Sequence, residues 1–307
     1  MDAPAWLWIP VTVGAAAAQT ARNAAQRSLT GELGTLGATL VRFLYGLPFA
    51  ALWLAAVLGF AGGALPSPGA AFWGWVLLGG LSQIAATAFL LRGMQERNFA
   101  LGVAYSKTEV VQVALLGVVF LGDLLGLTAS LAVACGTLGV LMLSPADPER
   151  PWRALLAGLA TRPALLGLAA GAGFALASVG YRGATLALPG TGFLLAAAFA
   201  LLAAQLVQSL VLGGWLAWRE PAVAGQVLRA WRVSLLAGFM GAVASAGWFT
   251  ALAIEPAAHV RTLGLIELLF AAAVSLRVFR EHLSRRELAG MALLALAIAA
   301  IALAPKA

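Results

Sequence analysis

Apolar runs long enough to cross a lipid bilayer follow one another through this sequence with only short polar breaks. They fall near residues 5–28, 33–60, 70–93, 99–122 and 124–144, and again near 163–187, 191–218, 233–254, 257–279 and 287–304. About 20 such residues span the hydrocarbon core as a helix. Inside lipid the backbone finds no water to bond with, so helices of this length satisfy it internally. With 62% of residues hydrophobic and 10% charged, a soluble domain could not hide the apolar surface. The expected fold class is therefore an all-α polytopic membrane protein with ten transmembrane helices, segments 1 to 10. Its 35 glycines suit close helix packing in lipid, where small residues let backbones approach.

A polar stretch, Pro145-Ala-Asp-Pro-Glu-Arg-Pro-Trp, divides the ten segments into five and five. The expected organisation is a first five-helix repeat over 1–145, a linker over 146–162 and a second five-helix repeat over 163–307. Sliding the sequence by 158 superposes Gly80 on Gly238, Thr87 on Ser245, Ala100 on Ala258, Glu109 on Glu267 and Asp123 on Glu281. Because five is odd, the second unit enters the membrane in the opposite sense, which makes the two halves an inverted repeat of the kind that builds alternating access.

Loop charge supports the same arrangement. The loops after odd-numbered segments hold Arg27, Arg92, Arg97, Arg150, Arg153, Arg162, Arg219, Arg229, Arg232, Arg277, Arg280, Arg285 and Arg286, against little but Lys306 and Arg182 on the opposite face. The positive-inside bias then makes those loops cytoplasmic and turns both termini outward, in the inner membrane of a bacterium. Basic residues spread between apolar segments are not a nucleic-acid patch. The N-terminus lacks a basic stretch before its apolar run, so no cleaved signal peptide is expected. The single cysteine, Cys135, excludes an intrachain disulfide.

Polar residues recur at helical spacing inside the segments. In segment 1, Gln19, Arg22, Asn23 and Gln26 fall at i, i+3, i+4 and i+7; in segment 6, Ser178, Tyr181, Arg182 and Thr185 do the same. Each set shares one face, as expected if both helices line one water-accessible cavity; the competing reading is snorkelling to the interface. Segment 2 carries Thr35, Thr39, Arg42 and Gly46 on a face, with Tyr45 beside it. An ionised Arg42 at mid-depth costs about 2.5–3.5 kcal/mol and needs a carboxylate, a carbonyl or an anionic ligand. Gln205 and Gln208 lie in segment 7, Ser82, Gln83 and Thr87 in segment 3, and Ser245, Trp248 and Thr250 in segment 8. For the groups of segments 3 and 8, bonding within the helix or to a neighbour is the preferred reading.

In segment 4, Tyr105, Glu109 and Gln112 share a face, whereas Lys107 stands about 200° from Glu109 on a regular helix. Either one of the two contacts a neighbouring helix, or the helix is distorted there. Segment 9 carries His259, Arg261 and Glu267 after Pro256, which suits a helix start. Glu109 and Glu267 are read as a symmetry-related pair, counter-ions to Arg22, Arg42, Lys107 or Arg261, with one of them able to carry a coupling proton. The alternative is a pair of structural salt bridges. Asp123 and Glu281 fall at segment ends, where capping is expected. His259, His282 and Cys135 do not assemble a metal site, and no cofactor is expected. Segments 5 and 10 have no polar stripe and are peripheral or face a partner subunit, compatible with a monomer or a homodimer.

Two five-segment units in which segments 4 and 9 end in Gly122-Asp123 and Arg280-Glu281 before a short apolar segment resemble the EamA-type branch of the drug/metabolite transporter superfamily. The resemblance covers essentially the whole chain. Asp123 stands where that family usually has Glu, and Arg280 where its second copy has Gly. The resemblance implies a central cavity lined by segments 1–4 and 6–9, and export or exchange of small metabolites such as amino acids. It also implies cytoplasmic termini, against the loop charge; the orientation set by charge is kept.

The function expected is a secondary transporter, an exporter or exchanger of small anionic or zwitterionic metabolites. The site residues expected are Arg22, Asn23, Arg42, Tyr45, Tyr105, Lys107, Glu109, Gln112, Tyr181, Arg182, Arg261 and Glu267. Buried cations that outnumber buried carboxylates favour an anion. No phosphate-binding loop of an ATPase is present, and the partners expected are a small-molecule substrate and the bilayer, with no nucleic acid. A broad exporter of cationic amphiphiles using Glu109 and Glu267 is the alternative. An intramembrane lipid-modifying enzyme would need a convergent nucleophile, base or metal set, and the chain is read as no enzyme.

Overall fold

The computed structural model describes residues 6–61, 64–96, 99–107 and 161–280, with Pro4 and scattered positions within 109–134 and 285–293. Within them the protein is helical: α1 (Trp8–Leu44), α2 (Leu47–Ala61), α3 (Ala70–Glu96), α4 (Phe99–Ser106), α5 (Arg162–Leu186), α6 (Phe193–Arg219), α7 (Pro221–Arg229), α8 (Trp231–Ile254), α9 (Ala257–Leu263) and α10 (Glu267–Arg277). Six helical stretches among the described residues are long and apolar enough to cross a membrane. The fold is thus an all-helical one of membrane character. Segments 5 and 10 and most of the linker between the halves lie outside the described residues.

The first stretch, Trp8–Phe60, runs for 53 residues, about twice what one crossing needs. It folds back on itself. Gly34 adopts φ 66°, ψ 177° inside α1, a conformation open almost only to glycine. Gln26 Nε2 donates to the carbonyl of Ala38 at 2.7 Å, whereas twelve residues of straight helix would set them about 18 Å apart. Segments 1 and 2 are therefore the two arms of α1 and its continuation in α2.

The two most extensive helix contacts are α1 with α8 and α3 with α5. Small residues make the second one close: a Cβ on Gly180 would lie 2.7 Å from the amide nitrogen of Gly79 and 2.9 Å from the carbonyl oxygen of Trp75. In lipid, where apolar side chains gain little by leaving their solvent, such backbone approach is what holds helices together.

Segments 4 and 9 both break in mid-course. The regular helix α4 ends at Ser106 and Lys107 sits in a turn, with the Val110 amide donating back to the Lys107 carbonyl at 3.2 Å. In segment 9 a 3₁₀ turn over Gly264–Ile266 separates α9 from α10. Lys107 and Leu265 are 158 positions apart, so the breaks coincide under the sequence offset. The distortion considered for Lys107 is present, and it changes the angular position of Glu109 relative to the helix before it.

The same offset reappears at the far end of these segments. Gly122 has φ 68° and Arg280 has φ 54°, and 280 lies 158 beyond 122. The left-handed turn is free for glycine and costs about 1–2 kcal/mol for a residue with a Cβ. Arg280→Gly is therefore expected to raise thermal stability in detergent by about 1 kcal/mol, read as a higher midpoint than wild type.

Candidate functional site

The breaks in segments 4 and 9 bring four charged side chains to one place against the first arm of α1. Glu267, first residue of α10, accepts hydrogen bonds from Gln19 Nε2 at 2.6 Å and from Asn23 Nδ2 at 3.0 Å. Lys107 Nζ donates to Oε2 of the same carboxylate, the oxygen that also accepts from Gln19, at 2.5 Å. From there Lys107 reaches Glu109 Oε1 at 3.7 Å, and Glu109 Oε1 lies 3.8 Å from Arg261 Nη1. Arg261 donates from Nε to Ser178 Oγ at 2.7 Å and lies over the Trp248 ring, 4.5 Å from its centroid. Trp248 Nε1 donates to Gln19 Oε1 at 2.8 Å. Glu267, Lys107, Glu109, Arg261, Trp248 and Gln19 thereby close a ring of polar contacts.

Two arginines of α1 stand beside this ring. Arg22 donates from Nη2 to Asn23 Oδ1 at 2.7 Å, while its Nε and Nη1 are buried with no hydrogen-bond partner. Arg42 donates from Nη1 to Thr87 Oγ1 at 3.0 Å. The two guanidinium groups are within electrostatic range of each other, of Arg261 and of Glu267. None of the six charged side chains is more than 5% exposed. In so dry a place an unmade hydrogen bond on a cation is costly, and Arg22 carries two of them.

A neutral cluster adjoins Arg42. Tyr181 donates its hydroxyl hydrogen to Gln83 Oε1 at 2.8 Å, and Gln208 Nε2 donates to Tyr181 Oη at 3.0 Å and to Gln83 Oε1 at 2.8 Å. Tyr181 lies against Gly79, where a Cβ would come within 2.7 Å of its ring, so the glycine contact of α3 with α5 also sets the position of this hydroxyl.

Of the expected site residues, Arg22, Asn23, Lys107, Glu109, Arg261 and Glu267 come together, with Arg42 and Tyr181 next to them. Tyr105 is buried with its Cβ packed on Gly167, and Gln112 is half-buried and makes none of the cluster's hydrogen bonds. Tyr45 and Arg182 serve helix ends instead. Tyr45 donates to the carbonyls of Val227 or Leu228 at 3.0 and 3.2 Å, at the end of α7. Arg182 Nη1 donates to the carbonyls of Leu252 and Glu255 at 2.9 and 2.8 Å, satisfying the last turn of α8, where cations suit the helix dipole.

Gln19, Ser178, Trp248, Gln83 and Gln208 belong to the site and were not among its expected residues. Gln19 and Ser178 lie on the polar stripes already visible in segments 1 and 6, so their spacing was a sufficient signal. Trp248, Gln83 and Gln208 had none beyond being polar groups at membrane depth.

No family model matches the chain, and no curated protein matches it. A protein of known crystal structure superposes over 97% of this chain and 96% of its own with a TM-score of 0.65 at 16% sequence identity. At that identity the likeness is one of fold alone.

Proposed function

We propose that the protein is a secondary transporter of small anionic or zwitterionic metabolites, working by alternating access around the buried charge cluster between two inverted five-helix repeats. The observation that carries the reading is Arg22: a fully buried guanidinium with two donor nitrogens unpaired. A buried ionic group of this sort at membrane depth marks a substrate or ion pathway. Ser178, a hydroxyl in contact with the cluster, accepts from Arg261 and donates to the carbonyl of Phe174 at 2.7 Å. It is thus occupied as a hydrogen-bonding group on both sides, a role that supports the transport reading.

Several features support the repeat. The helix breaks at Lys107 and Gly264–Ile266 and the left-handed residues Gly122 and Arg280 obey one offset. Segment 1 packs on segment 8 as segment 6 packs on segment 3. Discontinuous helices at corresponding positions of two halves are where inverted-repeat transporters place their binding sites. The EamA-type likeness read from the sequence, export or exchange as the direction of transport, and the bacterial inner membrane as location belong to the same proposal.

The first test is thermal stabilisation of the purified protein in detergent by a panel of amino acids, organic acids and cationic dyes. A ligand at 100 times its Kd raises stability by about 2.7 kcal/mol, a readily measured shift. Stabilisation by an anion or zwitterion, lost in Arg42→Gln, is expected. Stabilisation by cations alone, kept in Arg42→Gln, would move the site to Glu109 and Glu267 and favour an exporter of cationic amphiphiles.

A further inference from the structure

The six charged groups of the cluster do not balance. Among the described residues, Arg22, Arg42, Lys107 and Arg261 face the carboxylates Glu109 and Glu267, and all six are buried, so the described cluster has a surplus of two positive charges. The surplus has an address. Lys107 lies between both carboxylates, and Arg261 has Glu109, Ser178 and the Trp248 face. Arg22 and Arg42 are left with neutral partners, Asn23 and Thr87.

These two arginines come from the two arms of α1 and meet beside α8. A Cβ on Gly241 would stand 3.3 Å from Arg22 Cδ and 3.5 Å from the Arg42 carbonyl oxygen, so a glycine here gives the arginine stem its room. Two guanidinium groups with planar forks of donors match carboxylate or phosphate oxygens two at a time. The unpaired Nε and Nη1 of Arg22 each share a donor edge with Nη2, the nitrogen that holds Asn23, so both edges of that fork keep a free donor.

We infer that the solute is a dianion, bound between Arg22 and Arg42 with Lys107 and Arg261 held in place by the two glutamates. The inference rests on the transport reading and narrows it. A zwitterion would leave the surplus of two untouched and a monoanion would leave one charge, whereas a dianion removes both. In a site closed to water, charge left uncompensated is the dominant penalty. A short dicarboxylate and a phosphate monoester share this chemistry.

The test uses solutes of similar size and different charge on the full-length protein in liposomes: succinate, its monoamide succinamate, 4-aminobutyrate and methyl phosphate. Uptake or counterflow of succinate or methyl phosphate at least tenfold above both other solutes is expected, and which of the two is preferred separates dicarboxylate from phosphate monoester. Arg22→Gln should narrow the preference for succinate over succinamate, while Arg22→Lys, which keeps the charge, should hold most of it; a cooperative unfolding transition of each variant without ligand reports that it is folded. Transport of succinamate or 4-aminobutyrate equal to or above that of succinate would overturn the dianion and leave the transporter standing. Transport of cations alone, or of no solute in this panel and the wider one, would overturn both.

Discussion

Glu267→Gln is expected to destabilise the protein more than Lys107→Met, although the two residues are partners in one ion pair. Removing one member of a buried pair costs about 3–5 kcal/mol when it strands the other. Here the surroundings make the two removals unequal. Without Glu267, four cations confront Glu109 alone, and the positive surplus grows from two to three; without Lys107, it falls to one. Glu267 also takes hydrogen bonds from Gln19 and Asn23 as well as from Lys107, and a glutamine can accept only on one of its two terminal atoms. Lys107→Met keeps the volume of the side chain and leaves those two bonds in place. Thermal or denaturant unfolding of both variants and of the double variant in one detergent measures the order. The double variant should be less destabilised than the sum of the singles, since neither charge is then stranded. Equal losses would mean that the cluster does not feel its own net charge.

What could be read from residue order, and what could not, divides along a physical line. Hydrophobic length picked out six helical stretches that the described residues bear out as long and apolar enough to cross a membrane, because lipid demands such length of any sequence. The offset of 158 paired Glu109 with Glu267, and both carboxylates meet Lys107. Angular position failed at Lys107. A regular 100° step sets it opposite Glu109, yet the turn after Ser106 brings both to within 3.7 Å; a local break in the helix has no signature in hydrophobic pattern. Arg182 and Tyr45 bond outside the cluster for a different reason. Spacing puts Arg182 on the stripe with Tyr181, but a long side chain near a helix end is free to reach the carbonyls of a neighbouring helix terminus, and its direction depends on what that neighbour leaves unpaired. Trp248 joined the site through its indole N–H and its ring face at once, a pair of contacts that no single-segment pattern encodes.

A backbone-to-backbone approach of two helices gives the other large effect. Gly180→Ala should weaken or abolish the fold, whereas Gly14→Ala should not. A Cβ on Gly180 meets Gly79 N, Gly79 Cα and Trp75 O at 2.7, 2.8 and 2.9 Å, all backbone atoms of α3, so no side-chain rotation relieves the clash. Overpacking of this kind costs about 1–3 kcal/mol where rotamers can yield and more where they cannot. Around Gly14 nothing lies within 4 Å, and alanine in place of glycine gains about 0.8–1 kcal/mol of helix propensity. The two substitutions therefore move thermal midpoints in opposite directions, a contrast that cancels effects of detergent. The site should respond as well. Pushing α5 off α3 withdraws Tyr181 from Gln83 and shifts Ser178 relative to Arg261, so any Gly180→Ala protein that does fold should bind its solute more weakly. If Gly180→Ala matches wild type in both midpoint and ligand stabilisation, α3 and α5 do not touch through their backbones, and the bonds from Tyr181 to Gln83 and from Arg261 to Ser178 that depend on that contact are not formed.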